Sequence, residues 1–308
     1  MRNVLLRKMT AEDIDGQIEK ILRGLGNPEP PLRIELVREL QRLDTTFYTS
    51  TDTGLFREKF SRLFIGVKQV LERPTLLGEA LAKLQLKALW IPDHKRILID
   101  QSIPKLKHRW VEAHEITHSV LPWHGECLFG DTEQTLAPHC HEQLEGEANY
   151  GAGRLLFLGE RFLEESSDYP LQFSSIQILA KVYSNTLTST LWRFVEQRGV
   201  TTPLVGLVHV HPKRRPTNGG AVQICRYFIR SAAFQTQFPS ISENDLFDII
   251  KGYCGSQSGG PLGSSKISLT NARGEQHIFA FETFYNGHDA LTLGAYVEKA
   301  KIVHHIFS

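Results

Sequence analysis

The stretch His114-Glu115-Ile116-Thr117-His118 carries the most specific information in this sequence. The apolar pattern around it predicts a helix over 103–121, which Pro122 ends. Four residues advance a helix by about 400°, so the two histidines share one face and lie one turn apart. This spacing suits two ligands of a tetrahedral zinc ion, and Glu115 can then act as general base toward a water molecule.

Apolar residues surround most of this predicted helix, which indicates that the helix is buried. Two imidazoles and a carboxylate inside a protein are costly unless a partner satisfies them, and a metal ion is such a partner. Of the 13 histidines, five fall within 114–141, far more than an even distribution would place there. We therefore expect one Zn²⁺ per chain.

A catalytic zinc site needs a third protein ligand, and the next predicted helix, 139–158, offers one. Glu145 and Asn149 lie four residues apart on one face of that helix, so a ligand carboxylate would have an amide close by to orient a ligand histidine. Glu142 shares this face and is an alternative, whereas Glu147 is rotated by about 200° from Glu145. Glu145 is the favoured third ligand.

His124 is another candidate ligand, because it completes the HExxH-x5-H spacing of the metzincins. Metzincins also require a glycine between these histidines and a methionine turn after the zinc helix. This sequence has Leu121 at the glycine position, and its only methionines are Met1 and Met9. The metzincin arrangement is therefore disfavoured.

Two segments together resemble the ImmA/IrrE family of zinc metallopeptidases. They are His114-Glu115-x-x-His118 and Glu145-Gly-Glu-Ala-Asn149-Tyr-Gly-Ala-Gly-Arg-Leu-Leu-Phe, and the resemblance covers about 87–200. It implies an HExxH helix followed by a helix whose first glutamate is the third zinc ligand. One departure is Leu158, where family members commonly have proline.

The resemblance implies a site-specific endopeptidase that cleaves a regulatory protein, expected to be a helix-turn-helix transcriptional repressor of stress-response genes. It assigns the metal ligands to His114, His118 and Glu145 and the general base to Glu115. Asn149 is expected to hold a ligand histidine in place. The group that stabilises the oxyanion or contacts the substrate stays open, and the candidates are Tyr150, Arg154, His124, His139 and His141.

The composition excludes several classes of function. The 35 Lys and Arg residues nearly balance the 34 Asp and Glu residues, so no positive surplus is present to hold a phosphate backbone. No apolar run reaches the ~20 residues of a membrane span, and the start shows no apolar segment of signal-peptide length. The four cysteines form no CxxC pair. We expect a reduced, cytoplasmic protein with no membrane partner.

The pattern along the chain predicts an α+β fold in four parts. These are a helical N-terminal region (1–85), a zinc-peptidase core with a small sheet (86–172), a helix-turn-helix-like module (173–202) and a mixed α/β domain for substrate recognition or sensing (203–308). The expected elements are helices at 11–24, 32–44, 55–72, 76–85 and 242–252, a β-hairpin at 87–100, two short helices within 174–200, and strands at 204–211, 221–230, 266–270, 277–285 and 291–298. The Gly-rich stretch 256–263 is expected to be a flexible loop.

A second hypothesis rests on the helix-turn-helix-like segment 174–200. In it the protein is a non-catalytic, zinc-stabilised transcriptional regulator that binds DNA or a repressor through this segment. The segment carries Lys181, Arg193 and Arg198 against Glu196, a net charge of +2, which is small for phosphate contacts. Packing or substrate docking is the expected role of this segment, and DNA is not the expected partner.

Overall fold

The structure is a computed structural model, and its helices and antiparallel sheet make the protein α+β, as the sequence predicts. It describes residues 3, 6–48, 88–91, 95–103, 105–124, 138–213 and 223–300, with only the backbone for 48, 88–91, 96, 98, 100, 105, 106 and 138–142. The helices predicted at 55–72 and 76–85 lie outside the described residues.

The chain divides into two compact units. One comprises Leu6–Gly159, and the other comprises Glu160–Ser308 together with Met1–Leu5. The first unit contains every residue proposed above as a metal ligand or general base. The finer division at residues 85, 172 and 202 stays a prediction.

The first unit consists of helices packed on a small sheet. Strand β3 lies in the centre of this sheet, with β1 parallel to it on one side and β2 antiparallel on the other. The antiparallel β2–β3 pair is the hairpin predicted at 87–100. The elements are α1 (Lys8–Gly24), α2 (Ile34–Gln41), β1 (Asp44–Tyr48), β2 (Ala88–Ile91), β3 (Arg96–Asp100), α3 (Lys105–Val120) and α4 (Pro138–Leu156).

The prediction of an entirely helical N-terminal region is wrong at residues 44–48. Residues 32–44 were expected to form one helix, but α2 ends at Gln41, Arg42 takes a left-handed conformation with φ of 55°, and β1 follows. The run Thr45-Thr46-Phe47-Tyr48 is β-branched and aromatic, which favours a strand when a partner edge is available. The partner is β3, about fifty residues later in the chain.

The core of the first unit explains why α1 forms where it does. Ile14, Ile18, Ile21 and Leu22 recur at helical spacing and are all buried. This stripe faces α4, because Ile14 lies beside Gly151 and Leu22 lies beside Gly159. Helix α1 therefore packs against α4 through this apolar stripe.

The second unit is built on an antiparallel sheet of order β5-β4-β8-β7-β6. Helix α7 packs over β4, where Val195 and Leu191 approach Gly206. The elements are α5 (Arg161–Ser167), α6 (Phe173–Val182), α7 (Leu187–Arg198), β4 (Leu204–His209), β5 (Cys225–Arg230), α8 (Ala232–Gln237), α9 (Glu243–Tyr253), β6 (Gly260–Thr270), β7 (Gln276–Tyr285) and β8 (Ala290–Lys299).

The Gly-rich stretch 256–263 is not wholly a loop, because β6 begins at Gly260. The register of the β6–β7 pair shifts between Pro261 and Gly263, which marks a bulge. Gly263 has a φ of 147°, and a Cβ there would lie 2.6 Å from the carbonyl oxygen of Tyr253. Only glycine fits this position, so glycine here serves the strand rather than a mobile loop.

Within the part of the chain that the structure describes, no helix combines the length and the apolar character needed to cross a membrane.

Candidate metal centre

Helices α3 and α4 pack closely enough to share one site. The two helices come close at Gly151, where an added Cβ would lie 2.4 Å from Cγ2 of Thr117. Thr117 is itself fixed, because its hydroxyl donates to the carbonyl oxygen of Ala113 at 2.8 Å. The lack of a side chain on α4 at this point allows its Glu145 to reach the histidines of α3.

Three side-chain donors converge between these helices. Nε2 of His114 lies 3.2 Å from Nε2 of His118 and 3.3 Å from Oε2 of Glu145. Nε2 of His118 lies 3.6 Å from Oε1 of Glu145. Among the described residues these three form a group whose ligand atoms could hold one metal ion.

The spacing of these atoms can be compared with that of a bound ion. Zinc bonds of about 2.0–2.1 Å in tetrahedral geometry hold the ligand atoms about 3.3–3.4 Å apart. The distance between the two histidine nitrogens, 3.2 Å, and the distance from His114 to Oε2 of Glu145, 3.3 Å, lie close to this value, whereas the 3.6 Å contact of His118 is made with the other oxygen of Glu145. Two imidazole nitrogens and one carboxylate oxygen also form a donor set that zinc accepts. The residues therefore fit a tetrahedral zinc ion.

Asn149 holds the ring of His114 from the side opposite the donors. Its Oδ1 lies 3.2 Å from Nδ1 of His114. An amide oxygen only accepts, so Nδ1 of His114 is the nitrogen that donates in this contact. This is the contact that the four-residue spacing of Glu145 and Asn149 predicts.

A separate set of side chains lies on the Nδ1 side of the His118 ring. Nδ1 of His124 is 2.8 Å from Nδ1 of His118, and Nε2 of His124 is 3.0 Å from Oε2 of Glu147. Glu147 also accepts from Trp123 at 2.7 Å and from Gln143 at 2.8 Å. His124 is 0% exposed and Glu147 is 1% exposed, so these two side chains are closed off from solvent, whereas Gln143 is exposed.

The ionisation of the donors follows from burial and from their contacts with one another. Burial raises the pKa of Glu145, but the hydrogen bonds with His114 and His118 outweigh it and lower that pKa overall. Burial lowers the pKa of His118 and dominates there. For His114, burial also lowers the pKa, but the contacts with Glu145 and the charge of Glu115 raise it overall. An ionised Glu145 and a neutral His118 are the forms that bind a metal.

Glu115 lies on α3 beside the donors and is 7% exposed. Its charge acts on the neighbouring His114 and helps to raise the pKa of that ring. Glu115 therefore follows a proposed ligand on the same helix and does not belong to the donor group found among the described residues.

The remaining sequence candidates have different surroundings. Tyr150 donates to Asp15 of α1 at 3.1 Å, and the buried Arg154 pairs with the same carboxylate at 2.6 Å. Both side chains thus join α4 to α1 and are not grouped with the donors. The side chains of Glu142, His139 and His141 lie outside the described residues.

The sequence pattern excludes Glu147 as a metal ligand and predicts no role for Trp123 or Gln143. The signal available was weak: Gln143 and Glu147 are four residues apart on one face of α4, and a Trp-His pair follows the HExxH helix. Nothing in these spacings shows that residues 121–124 fold back toward α4.

Comparisons with known proteins concern mainly the fold. No family model and no curated protein matches the chain. A solved structure described as a Mycobacterium tuberculosis transcriptional regulator matches with a TM-score of 0.50 and 13% identity, over 93% of this chain and 88% of that one. At this identity the likeness concerns the fold alone.

Proposed function

We propose that this protein is a zinc-dependent endopeptidase that cleaves a regulatory protein, with a helix-turn-helix transcriptional repressor as the expected substrate. The observation that carries the proposal is the convergence of the ligand atoms of His114, His118 and Glu145, with Glu115 next to His114 on the same helix. The finer architecture, an HExxH core related to ImmA/IrrE peptidases, is part of the same proposal.

The proposed roles follow from the chemistry of each side chain. His114, His118 and Glu145 would hold the ion, and zinc, when bound, supplies Lewis acidity toward water and a substrate carbonyl. Glu115 would take a proton from the attacking water and pass it to the leaving amine nitrogen. Asn149 keeps the ring of His114 oriented through its contact with Nδ1.

One further feature supports a catalytic rather than a closed structural site. The side chain of Glu145 is 42% exposed, so the donors can be reached from solvent. A peptide segment in an extended conformation needs this kind of access.

A role in transcription is supported by the name of the structural neighbour, which is called a transcriptional regulator. A repressor-cleaving peptidase and a DNA-binding regulator both agree with that name. The same name therefore also favours the second candidate, a non-catalytic zinc-stabilised regulator acting through 174–200.

The burial of α7 disfavours DNA recognition by residues 174–200. A recognition helix must present side chains to the major groove. In α7 no residue from Leu187 to Arg198 is exposed, and its buried side chains include Arg193 and Phe194. The endopeptidase is therefore the function that we favour.

The decisive experiment compares the wild-type protein with Glu115→Gln. Both are loaded with zinc and incubated with a candidate helix-turn-helix repressor, and the fragments are identified by mass spectrometry. Loss of a general base should slow cleavage by about 10²–10⁴-fold, whereas zinc content should stay at one per chain. His118→Ala, the control, should lose both zinc and cleavage.

The proposal fails if Glu115→Gln cleaves at the wild-type rate, or if the wild-type protein takes up no zinc. DNA binding that weakens with salt, without any fragments of the repressor, would instead favour the second candidate.

A further inference from the structure

Two buried side chains on the Nδ1 side of the His118 ring have no role in the proposed catalysis. They are a histidine and a carboxylate, His124 and Glu147, which do not take part in the proposed ligand set. They lie in contact with one another and, through His124, with a proposed ligand. We propose that Glu147 and His124 form a relay of two hydrogen bonds that fixes which nitrogen of His118 faces the metal. This inference rests on the proposed zinc site.

The direction of the first hydrogen bond follows from Glu147. Its carboxylate receives contacts from three nitrogen groups, and two of these, the Trp123 indole and the Gln143 amide, can only donate. The third is Nε2 of His124 at 3.0 Å, which must carry a hydrogen to donate as well.

The second hydrogen bond follows from the first. The relay takes His124 as neutral, so that its one hydrogen lies on Nε2 and its Nδ1 is bare. That nitrogen lies 2.8 Å from Nδ1 of His118 and can only accept, so His118 must carry its hydrogen on Nδ1. Nε2 of His118 is then bare and lies 3.2 Å from Nε2 of His114.

His114 is held in the same state by a different group. Asn149 accepts from Nδ1 of His114, which leaves Nε2 of that ring bare as well. When both rings are neutral, two lone pairs and the carboxylate of Glu145 face one another, and a metal ion takes the place of any hydrogen between a ring and Glu145. A cation satisfies all three, so the relay and Asn149 together prepare the donors for a metal. His124 and Glu147 are positioning residues, because they act only through His118.

A matched pair of variants tests the relay. In His124→Asn, Oδ1 takes the place of the imidazole Nδ1 and can still accept from His118. Leucine has the same side-chain branching and number of heavy atoms as asparagine but no hydrogen-bond acceptor, so His124→Leu cannot accept from His118. Zinc affinity of the full chain is measured by competition with a chromophoric chelator, after circular dichroism has shown that each variant is folded.

We expect His124→Leu to lower zinc affinity by about 10–100-fold and His124→Asn to recover most of it. A purely structural role would affect both variants alike, so equal losses overturn the proposal. Wild-type affinity in His124→Leu also overturns it. If wild-type protein itself binds no zinc, the proposed function fails at the same time; if wild type binds zinc and the pair behaves identically, only the relay fails.

A second measurement needs no substitution and decides the case if His124→Leu does not fold. Nitrogen-15 NMR of the zinc-loaded wild-type protein reports which ring nitrogen of each histidine carries hydrogen. The relay requires the hydrogen of His124 on Nε2. A hydrogen on Nδ1 of His124 would face the hydrogen of His118 and would overturn the proposal.

Discussion

His209 in the second unit is a buried titratable residue whose contacts hold it in one state. It is 1% exposed; its Nδ1 lies 2.8 Å from the carbonyl oxygen of Val210, and its Nε2 lies 2.8 Å from Oγ1 of Thr292. The carbonyl can only accept, so Nε2 is the bare nitrogen and accepts from the hydroxyl. Burial lowers the pKa of His209 to about 4, so the ring stays neutral in the folded protein.

This lowered pKa makes stability depend on pH in a defined direction. Between pH 6.5, the ordinary value, and about pH 4, the unfolded chain binds a proton at His209 that the folded chain does not. The stabilising contribution is therefore complete above about pH 6.5 and decreases as the pH is lowered through this window, by at most about 1.4 kcal/mol per pH unit. Urea unfolding at several pH values should show that His209→Gln has a shallower slope than wild type. Equal slopes would show that His209 does not contribute.

At the residue scale, local spacing predicted which side chains share one face of a helix. The pairs His114/His118 and Glu145/Asn149 are each four residues apart, so their common faces can be read from the sequence. The structure brings the first three of these residues together as a donor group and places Asn149 on His114. The contact of His124 with His118 could not be predicted, because it depends on the path of the chain after Leu121.

At the scale of elements, the site depends on how closely α3 and α4 approach. Gly151 and Gly146 lie on the same helix but differ in their surroundings. An added Cβ at Gly151 would collide with Thr117, whereas at Gly146 it would meet nothing within 4 Å among the described atoms. These two glycines therefore form a matched pair.

We expect Gly151→Ala to destabilise the protein by about 1–3 kcal/mol, because the added methyl group forces the helices apart. The same displacement should weaken zinc binding, since Glu145 lies on the displaced helix. Gly146→Ala should instead stabilise the protein by about 0.5–1 kcal/mol, because alanine favours a helix over glycine. Denaturant unfolding and chelator competition measure both quantities. If Gly151→Ala changes neither the free energy of unfolding nor zinc affinity, the close approach of α3 and α4 is contradicted.

Elements with a strong repeating pattern were predicted near their observed positions, whereas several short elements were missed. The buried stripe of α1 and the alternation along β7 are local signals, and both elements occur near their predicted positions. Strand β1 was missed because the propensity of five residues decides little without β3 beside them. The short helices α5 and α8 were also missed, since six or seven residues provide too few turns for periodicity to be recognised.

At the scale of the whole molecule, the proposed metal ligands all belong to one of the two compact units. A ligand that binds only the folded state stabilises it by about 4 kcal/mol when present at a thousand times its dissociation constant. We therefore expect zinc to slow hydrogen exchange mainly in α3 and α4, with a smaller effect in β6, β7 and β8. Exchange measured by mass spectrometry with and without zinc tests this, and His118→Ala should show no response. Equal protection of both units would contradict the assignment.

The parallel pairing of β1 with β3 has a practical consequence for anyone who prepares fragments of this protein. A fragment beginning near residue 86 would contain both HExxH histidines and Glu145, yet it would lack β1 and the buried face of α1. The edge of β3 that pairs with β1 would then have unpaired backbone N–H and C=O groups, which favour self-association between copies. We expect such a fragment to aggregate, and extending it to include residues 6–48 should restore a monodisperse species in size-exclusion chromatography.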